Sequence, residues 1–246
     1  MCKKIYMKKI LQRGAEAEIY LIDNKVVKNR IKKSYRIPEL DEKIRKLRTR
    51  SETKLLEKAG KVILVPKLFS SDEKTKKIIM EFVKGEKLSE HLSDFSLEKQ
   101  KEICKKIGEN VAKLHDAEIV HGDLTTSNMI YVDGLKKITS RNNITKNGFQ
   151  VNSSFAGRAG GNNHMLVDEN FKIYFIDFGL GFISQRFEDM AVDLHLLKEA
   201  LEAKHFQHWE ILFNEVLKGY KKSKNSARIL EQFKRVEKRG RYKEQY

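Results

Sequence analysis

The sequence reads IVHGDLTTSNMIYV from Ile119 to Val132 and FIDFGLGFI from Phe175 to Ile183. In both stretches apolar runs flank a few polar residues, a pattern that is typical of short buried strands next to a polar loop. Asp123 and Asn128 lie five residues apart in the first stretch, and Asp177 follows an apolar run in the second. These three side chains are the strongest chemical signal in the sequence.

Composition excludes several classes of protein. The chain has 246 residues, of which 40% are hydrophobic and 34% charged, so it can fold as one generous domain or two small lobes. No apolar run approaches a membrane span, and the start MCKKIYMKKIL lacks the apolar core of a signal peptide. Cys2 and Cys104 lie far apart, without a CxxC pair. We expect a cytoplasmic protein without a membrane partner, whose basic C-terminal segment is also compatible with the nucleus.

The order of apolar patterns predicts an α+β protein of two lobes. Short apolar stretches between Lys8 and Lys28 predict two or three antiparallel strands, and a charged helix should run from Pro38 until Gly60 stops it. Two strands are expected in VILVPKLFSS and KKIIMEFV, followed by a mainly helical half that contains a long helix over about 96–117. Residues 134–164, rich in Asn, Ser and Gly, predict a disordered insertion.

Positive charge is concentrated in two segments. The formal net charge is +16, and residues 25–54 (12 basic, four acidic) and 218–246 (11 basic, three acidic) each carry a balance of +8. Concentrated basic segments on a neutral body indicate a surface that binds a polyanion, with RNA the leading candidate. Gly240 should end a helix and release a basic tail over 234–246 that could follow a phosphate backbone.

The polar residues fit phosphoryl transfer. Mg²⁺ prefers oxygen ligands, which Asn128 and Asp177 can supply, while Asp123 can accept or orient the attacking hydroxyl. Lys28 ends a predicted strand and could neutralise the phosphates of a nucleotide. Glu52 in the charged helix could pair with Lys28 and hold its ammonium group in place.

The ordered motifs resemble those of a known family. They are GAEAEIY, VVK, SETKLL, MEFVKGEKL, HGDLTTSN, IDFGLGFI and ARILEQFKRVEKRGRYK. In this order they are similar to the small atypical PRPK-type kinases, the kinase/ATPase subunit of the KEOPS complex, over nearly the whole chain apart from 134–164. The resemblance implies a protein-kinase-like fold: an N-lobe of 1–83 with a small sheet and one helix, and a reduced helical C-lobe of 84–133 and 165–233.

The resemblance also implies functions for individual residues. Asp123 would be the catalytic carboxylate, and Asn128 and Asp177 would bind Mg²⁺. The ATP-binding residues would be the phosphate loop Gly14, Ala15, Glu16 and Ala17, the pair Lys28 and Glu52, and the hinge Met80–Val83, with the backbone of Glu81 and Val83 facing adenine. Asp193 would support the catalytic loop as a structural acceptor, and His121 reads as a core histidine beneath that loop.

The expected activity is that of an atypical serine/threonine protein kinase or ATPase that uses ATP and Mg²⁺ within KEOPS, which supports threonylcarbamoyladenosine formation in tRNA. The partners implied are the tRNA threonylcarbamoyltransferase subunit, a small regulatory subunit and tRNA. The tRNA-binding residues would be Lys234, Arg235, Lys238, Arg239, Arg241 and Lys243.

Several departures from ordinary protein kinases leave alternatives open. Gly122 stands where kinases that are switched by activation-loop phosphorylation usually have arginine, and only 67 residues follow Gly179, without an Ala-Pro-Glu segment. ATP hydrolysis or phosphorylation of a dedicated partner is therefore favoured over broad protein phosphorylation. The alternatives are a small-molecule phosphotransferase and a non-catalytic nucleotide-binding subunit that bridges tRNA and the transferase.

Overall fold

The N-terminal part of the protein is an antiparallel sheet of five strands. The structure is a computed structural model that describes residues 8–14, 16–134 and 171–241. The strands are β1 (Lys9–Arg13), β2 (Ala17–Ile22), β3 (Lys25–Arg30), β4 (Leu68–Asp72) and β5 (Lys77–Glu81), in the order β1-β2-β3-β5-β4. Asp23 and Asn24 join β2 to β3 with φ values of 49° and 57°, as expected for the tight turn of a two-residue hairpin.

One long helix, α1 (Pro38–Ala59), lies between β3 and β4 in the chain. Proline opens it and Gly60 caps it, as the sequence predicts, because proline lacks the amide hydrogen that a first helical turn leaves unpaired anyway. Leu55, Leu56 and Ala59 are buried on its inner face. This face joins the helix to the hydrophobic core of the helical half.

The helical half begins just after β5. Its elements are β6 (Glu86–Lys87), α2 (Leu88–His91), α3 (Leu97–Asp116), β7 (Ile119–Val120), β8 (Met129–Asp133), β9 (Phe171–Phe175), β10 (Phe182–Ile183), α4 (Phe187–Lys204), α5 (Trp209–Tyr220) and α6 (Ser226–Arg241). Strands β6-β8-β9 and β10-β7 form two small sheets. The predicted α+β class is confirmed. The division into lobes at residue 83 stays a prediction, although sheet gives way to helix there.

Helix α3 is the centre of the core. Ser96 caps its start by accepting a hydrogen bond from the Lys99 amide, and the predicted apolar face, Ile103, Ile107, Val111 and Leu114, is fully buried. Two glycines allow α3 and α5 to cross at close range: a Cβ atom on Gly108 would lie 1.9 Å from the Val216 carbonyl oxygen, and one on Gly219 would lie 2.0 Å from that of Lys105. Larger residues at either position would push the helices apart.

Two predicted elements have different bounds in the structure. The strand predicted in VILVPKLFSS occupies only its second half as β4: the amides of Val62 and Ile63 both donate to the Ala59 carbonyl, so residues 62–67 close the end of α1 before the strand begins. The basic tail predicted from residue 234 is helical through Arg241. Phe233 is buried and Val236 packs against the core, so this apolar side holds the helix in place.

The predicted insertion 134–164 lies outside the described residues apart from Gly134. No helix in the described part of the chain combines the length and hydrophobicity that crossing a membrane requires.

Candidate active site

Three predicted residues from three separate segments meet in one ionic cluster. The Lys28 Nζ atom on β3 lies 2.7 Å from Glu52 Oε1 on α1 and 2.6 Å from Asp177 Oδ1, which follows β9. Glu52 is 1% exposed, so its carboxylate has little access to water. The Glu52 pairing matches the role that the resemblance implies for this helix.

Sequence reasoning missed a fourth member of the cluster. The Arg30 NH2 atom lies 2.5 Å from Glu52 Oε2, so each carboxylate oxygen of Glu52 binds a different cation. Lys28 and Arg30 are two positions apart on β3 and therefore point to the same face of the sheet. The alternation of side chains along a strand was the sequence signal that could have placed Arg30 beside Lys28.

Burial and charge act in opposite directions on the cluster. Burial alone would lower the pKa of Lys28, but the carboxylates of Glu52 and Asp177 outweigh it and raise that pKa above the ordinary value for lysine. Burial would likewise raise the pKa of Asp177, and the ammonium group of Lys28 together with the Gly179 amide lowers it instead. Both groups are therefore charged at neutral pH.

Asp123 and Asn128 are held together by a compact turn. The Asn128 side-chain amide donates to the backbone oxygen of Asp123 and to its Oδ2 atom, both at 2.9 Å. The Asn128 carbonyl Oδ1 atom is the oxygen that remains for a ligand. The Ile176 amide donates to the backbone oxygen of Asn128 at 2.9 Å, which ties this turn to the segment that carries Asp177.

Asp193 on α4 supports the turn that carries Asp123, as predicted. It accepts hydrogen bonds from the backbone amides of His121 at 2.6 Å and Gly122 at 2.8 Å. The predicted core position of His121 is also confirmed: the ring is fully buried, and its Nε2 atom donates to the Ile176 carbonyl at 3.1 Å. Gly122 has φ of 76°, and a Cβ atom there would lie 2.3 Å from the Leu180 carbonyl oxygen. The backbone thus requires glycine where many kinases have arginine.

A cavity of about 350 Å³ opens between the two halves of the molecule. Its lining includes the predicted hinge residues Met80, Glu81, Phe82 and Val83, together with Lys28, Glu52, Asn128 and Asp177. Val83 follows β5, and no hydrogen bond joins its amide to the rest of the described chain. A backbone donor is therefore open to a ligand at the apolar end of the cavity.

The predicted phosphate loop lines a second cavity of about 220 Å³, beside the first. Gly14, Glu16 and Ala17 face it together with Asp123, while Ala15 lies outside the described residues. Lys28, Asp177 and Gln12 line both cavities. The two cavities therefore form one continuous cleft with the ionic cluster at their junction.

The carboxylate of Glu16 does not point freely into this cleft. It lies 3.2 Å from Arg36 and 2.7 Å from Arg48, and these cations lower the pKa of Glu16 although burial acts to raise it. The loop is thereby tied to α1, which carries Arg48.

The donor set fits a magnesium ion. Asn128 and Asp177 offer one oxygen each, and Mg²⁺ usually takes only one or two protein ligands and completes its shell with water and phosphate oxygens. In the described part of the chain no three histidine, cysteine or acidic side chains converge as a closed metal site would require. Asp177 has φ of 60°, a conformation that is strained for a residue other than glycine and often found at functional sites.

Comparison with known proteins assigns the family. The model of the RIO domain matches residues 9–139, more than half of the chain. A protein of Pyrococcus abyssi named KEOPS complex subunit Bud32 is 38% identical over 96% of this chain and 97% of its own length. The chain belongs to the Bud32 group of the RIO-domain family. The predicted resemblance is thereby confirmed.

Two further matches place the group. A probable bifunctional tRNA threonylcarbamoyladenosine biosynthesis protein of Methanobrevibacter smithii is 37% identical over 95% of this chain, which spans 36% of that longer protein. The crystal structure of the Rio2 kinase-ADP/Mg²⁺-phosphoaspartate complex from Chaetomium thermophilum matches 94% of this chain and 72% of that one, with a TM-score of 0.56 and 14% identity. This likeness confirms the kinase-like fold that the sequence predicts for a member of the Bud32 group.

Five of the six residues predicted to bind tRNA, from Lys234 to Arg241, lie on α6, and none of them lines the cleft cavities. Lys234 and Lys238 are exposed and have no ion pair within the described residues, whereas Arg235 pairs with Glu231 and Arg239 with Glu188. Arg241 is the last residue of α6. Lys243 lies outside the described residues.

Proposed function

We propose that this Bud32-group protein is an Mg-ATP-dependent atypical kinase or ATPase that acts in a KEOPS-type complex for tRNA threonylcarbamoyladenosine formation. The supporting observation is the meeting of Lys28, Glu52, Asp177, Asn128 and Asp123 around one cleft, although these residues come from distant parts of the sequence. Such a convergence of a fixed cation, two ligand oxygens and a carboxylate is what phosphoryl transfer requires.

The larger cavity suits the base and sugar of ATP. Its walls include the apolar side chains of Ile19, Val26, Met80, Ile130 and Ile176, and its volume of about 350 Å³ lies within the range of small-molecule sites. The open Val83 amide can donate to an acceptor on adenine. The triphosphate would then extend past Lys28 into the smaller cavity, beneath Gly14 and beside Asp123.

Each charged residue has a separate task in this arrangement. Glu52 and Arg30 fix the direction of Lys28, whose ammonium group can exchange its contact with Asp177 for phosphate oxygens. Asn128 and Asp177 would hold Mg²⁺, which neutralises charge on the phosphates when bound. The Asp123 carboxylate, oriented by the Asn128 amide, accepts the proton of the attacking hydroxyl or water.

The names of the relatives support the setting in tRNA modification. One relative is named as a KEOPS subunit, and another combines a segment like this chain with a further part in a bifunctional tRNA threonylcarbamoyladenosine protein. A natural fusion suggests that the two parts work side by side. We therefore include the threonylcarbamoyltransferase subunit, a small regulatory subunit and tRNA as partners.

ATP turnover tests the proposed function. Asp123→Asn should lower turnover by about 10²-fold or more, because it removes the proton acceptor while keeping the shape of the side chain. Asp23→Asn is the matched control: Asp23 is exposed at the β2–β3 turn, where positive φ suits asparagine, so turnover should be unchanged. Free phosphate and protein-bound label are both followed, with and without tRNA and the partner subunits.

The products distinguish the activities. Label on protein indicates a kinase, and phosphate that is released only with tRNA and partners indicates an ATPase that serves the modification cycle. Nucleotide binding without turnover in every mixture would contradict the proposal and leave the bridging subunit as the function. The family match already argues against the small-molecule phosphotransferase.

Salt dependence tests the proposed tRNA contact. Lys234→Gln with Lys238→Gln should weaken tRNA binding and reduce the slope of log affinity against log salt by about 2, if each lysine contacts one phosphate. Because Glu237 on α6 binds Lys198 and His195, charge removal is a cleaner test than deletion of the helix end. An unchanged slope would show that α6 does not contact the RNA backbone. Lys67→Gln with Lys74→Gln, which changes two exposed lysines near the sheet, is the control.

A further inference from the structure

A third cavity lies away from the cleft and has no part in the proposed reaction. It measures about 330 Å³ and is bounded by the turn after α1, by α3 and by β9. Its lining consists of Gly60, Lys61, Val62, Ile63, Leu64, Lys106, Asn110, Lys113, Phe171, Lys172 and Ile173. Four of these residues are lysines, and none of the described lining residues is acidic.

Asn110 gives this cavity a buried polar group. The residue is 5% exposed, and its side-chain amide forms no hydrogen bond with any other described residue. The amide lies on α3 and lines the cavity. Because this amide faces the cavity and has no partner among the described residues, it is available to a polar ligand.

The edge of β9 adds a backbone donor. The Ile176 amide donates to Asn128 on the β8 side, and the Phe175 amide donates in the opposite direction to Leu64. Because amides alternate along a strand, that of Ile173 also points away from β8, toward the cavity. The side-chain amide of Asn110 and the backbone amide of Ile173 therefore both face the cavity.

Three of the lysines pair with no carboxylate of the described residues. Lys61, Lys113 and Lys172 are exposed and form no ion pair within the described ranges. Lys106 also lines the cavity, and its ammonium group lies 4.0 Å from the Glu109 carboxylate. Within the described ranges, the charge of these three lysines can act on a ligand.

One feature opposes anion binding, and it is weaker than the lysines. The C-terminal end of α1 reaches the cavity at Gly60, and a helix end carries about half a negative charge. The last carbonyls of α1 are partly neutralised, since those of Leu56 and Ala59 accept the amides of Gly60, Val62 and Ile63. Three full positive charges exceed this residual dipole.

We propose that this cavity is a second ligand site that binds a phosphate group through Lys61, Lys113, Lys172 and the amides of Asn110 and Ile173. A phosphate group has several acceptor oxygens and matches both the charge and the donors of the lining. The group can belong to a free phosphate compound or to the backbone of RNA.

The test observes Asn110 directly by NMR of the intact chain. Its side-chain NH₂ signal, assigned with an Asn110→Ala variant, is followed while inorganic phosphate or an oligouridylate is added. We expect a saturable shift of this signal. The triple variant Lys61→Gln, Lys113→Gln, Lys172→Gln should weaken the binding by about tenfold or more, since charge-assisted contacts are lost.

A triple variant with the same change in net charge is the control: Lys67→Gln, Lys74→Gln, Lys204→Gln changes exposed lysines that line no described cavity and should leave the binding unchanged. Melting temperatures confirm that both variants are folded. Saturation by inorganic phosphate identifies a free phosphate compound as the ligand, and saturation by the oligouridylate alone identifies RNA. No saturable shift of Asn110, or equal weakening in both triple variants, would overturn the proposal.

Discussion

The interior of the sheet part combines apolar side chains with several buried charges, whereas the interior of the helical part is mainly apolar. Near β3 and α1 the protein buries Lys28, Arg30, Asp41, Glu52 and Lys76. Among the described residues, the continuous hydrophobic core lies almost entirely in the helical part; its buried members from the sheet part are Leu55, Leu56, Ala59 and Ile63.

This difference separates stability from chemistry. Apolar burial is non-directional and contributes most of the folding free energy, whereas a buried ion pair adds little net stability because its desolvation offsets the attraction. The ionic cluster of Lys28 and its partners thus does more to orient groups in the cleft than to stabilise the fold. The helical core provides the rigid support for that orientation through Asp193.

The largest expected effect is that of removing Lys28 in the sheet part, which should reduce ATP turnover. Lys28→Met should lower ATP turnover by about 10²- to 10³-fold, the size of effect seen when one preorganised donor of an active site is removed. The loss of unfolding free energy should stay below about 2 kcal/mol, because Glu52 keeps Arg30 as a partner and Asp177 is partly exposed.

Lys76→Met is the matched control. Lys76 is also buried and binds a carboxylate, that of Glu42, at 2.8 Å, but it does not line the cleft. Its turnover should equal that of the wild type. If both variants lose turnover equally, buried charge in this part serves only to hold the lobe together.

A smaller effect, on stability, is expected in the helical part. Leu197→Ala on α4 should reduce the free energy of unfolding by about 3 kcal/mol, because a fully buried leucine leaves a cavity when truncated. Turnover per folded molecule should stay near the wild-type value. Leu47→Ala on α1 is the control, since Leu47 is 55% exposed and the change should cost less than about 0.5 kcal/mol. Denaturant unfolding measures the free energy of unfolding of both variants. Equal losses would contradict the difference in packing between the two parts of the molecule.

The smallest expected effect is a pH dependence of the ionic cluster. The pKa of Asp177 is lowered in the folded protein, so its contribution to stability is complete above about pH 4, its range when unfolded, and is lost as the pH falls below it. The pKa of Lys28 is raised, so its contribution is complete below about pH 10 and is lost only at higher pH.

The free energy of unfolding of Asp177→Asn should therefore lie below that of the wild type by a constant amount between pH 5 and about pH 9, and this difference should become smaller in acid. Its size should be about 1 kcal/mol or less, because the Asp177 side chain is 40% exposed and water screens the pair. Unfolding measured across this range gives the result. A difference that grows toward low pH would mean that the carboxylate does not gain from Lys28.

Prediction from sequence succeeded where the pattern is local. The start and end of α1 follow from Pro38 and Gly60, and the buried face of α3 follows from its helical spacing. The strand predicted in VILVPKLFSS is present but begins only at Leu68, because apolar character alone does not separate a strand from a turn that caps a helix. The helix predicted to end at Gly240 does end there, at Arg241, but the segment from residue 234 belongs to it rather than to a free tail, because its apolar side packs on the core.

Lys28, Glu52, Asp123, Asn128 and Asp177 were named from the order of motifs, since each motif keeps its chemistry wherever it lies in the chain. The sequence by itself thus determined the family, the fold class and the identity of the charged groups. The tertiary structure alone decided that Arg30 meets Glu52 and that Asn110 and three lysines line one cavity. These contacts join residues far apart in sequence, and only packing of the completed elements sets the distances between them.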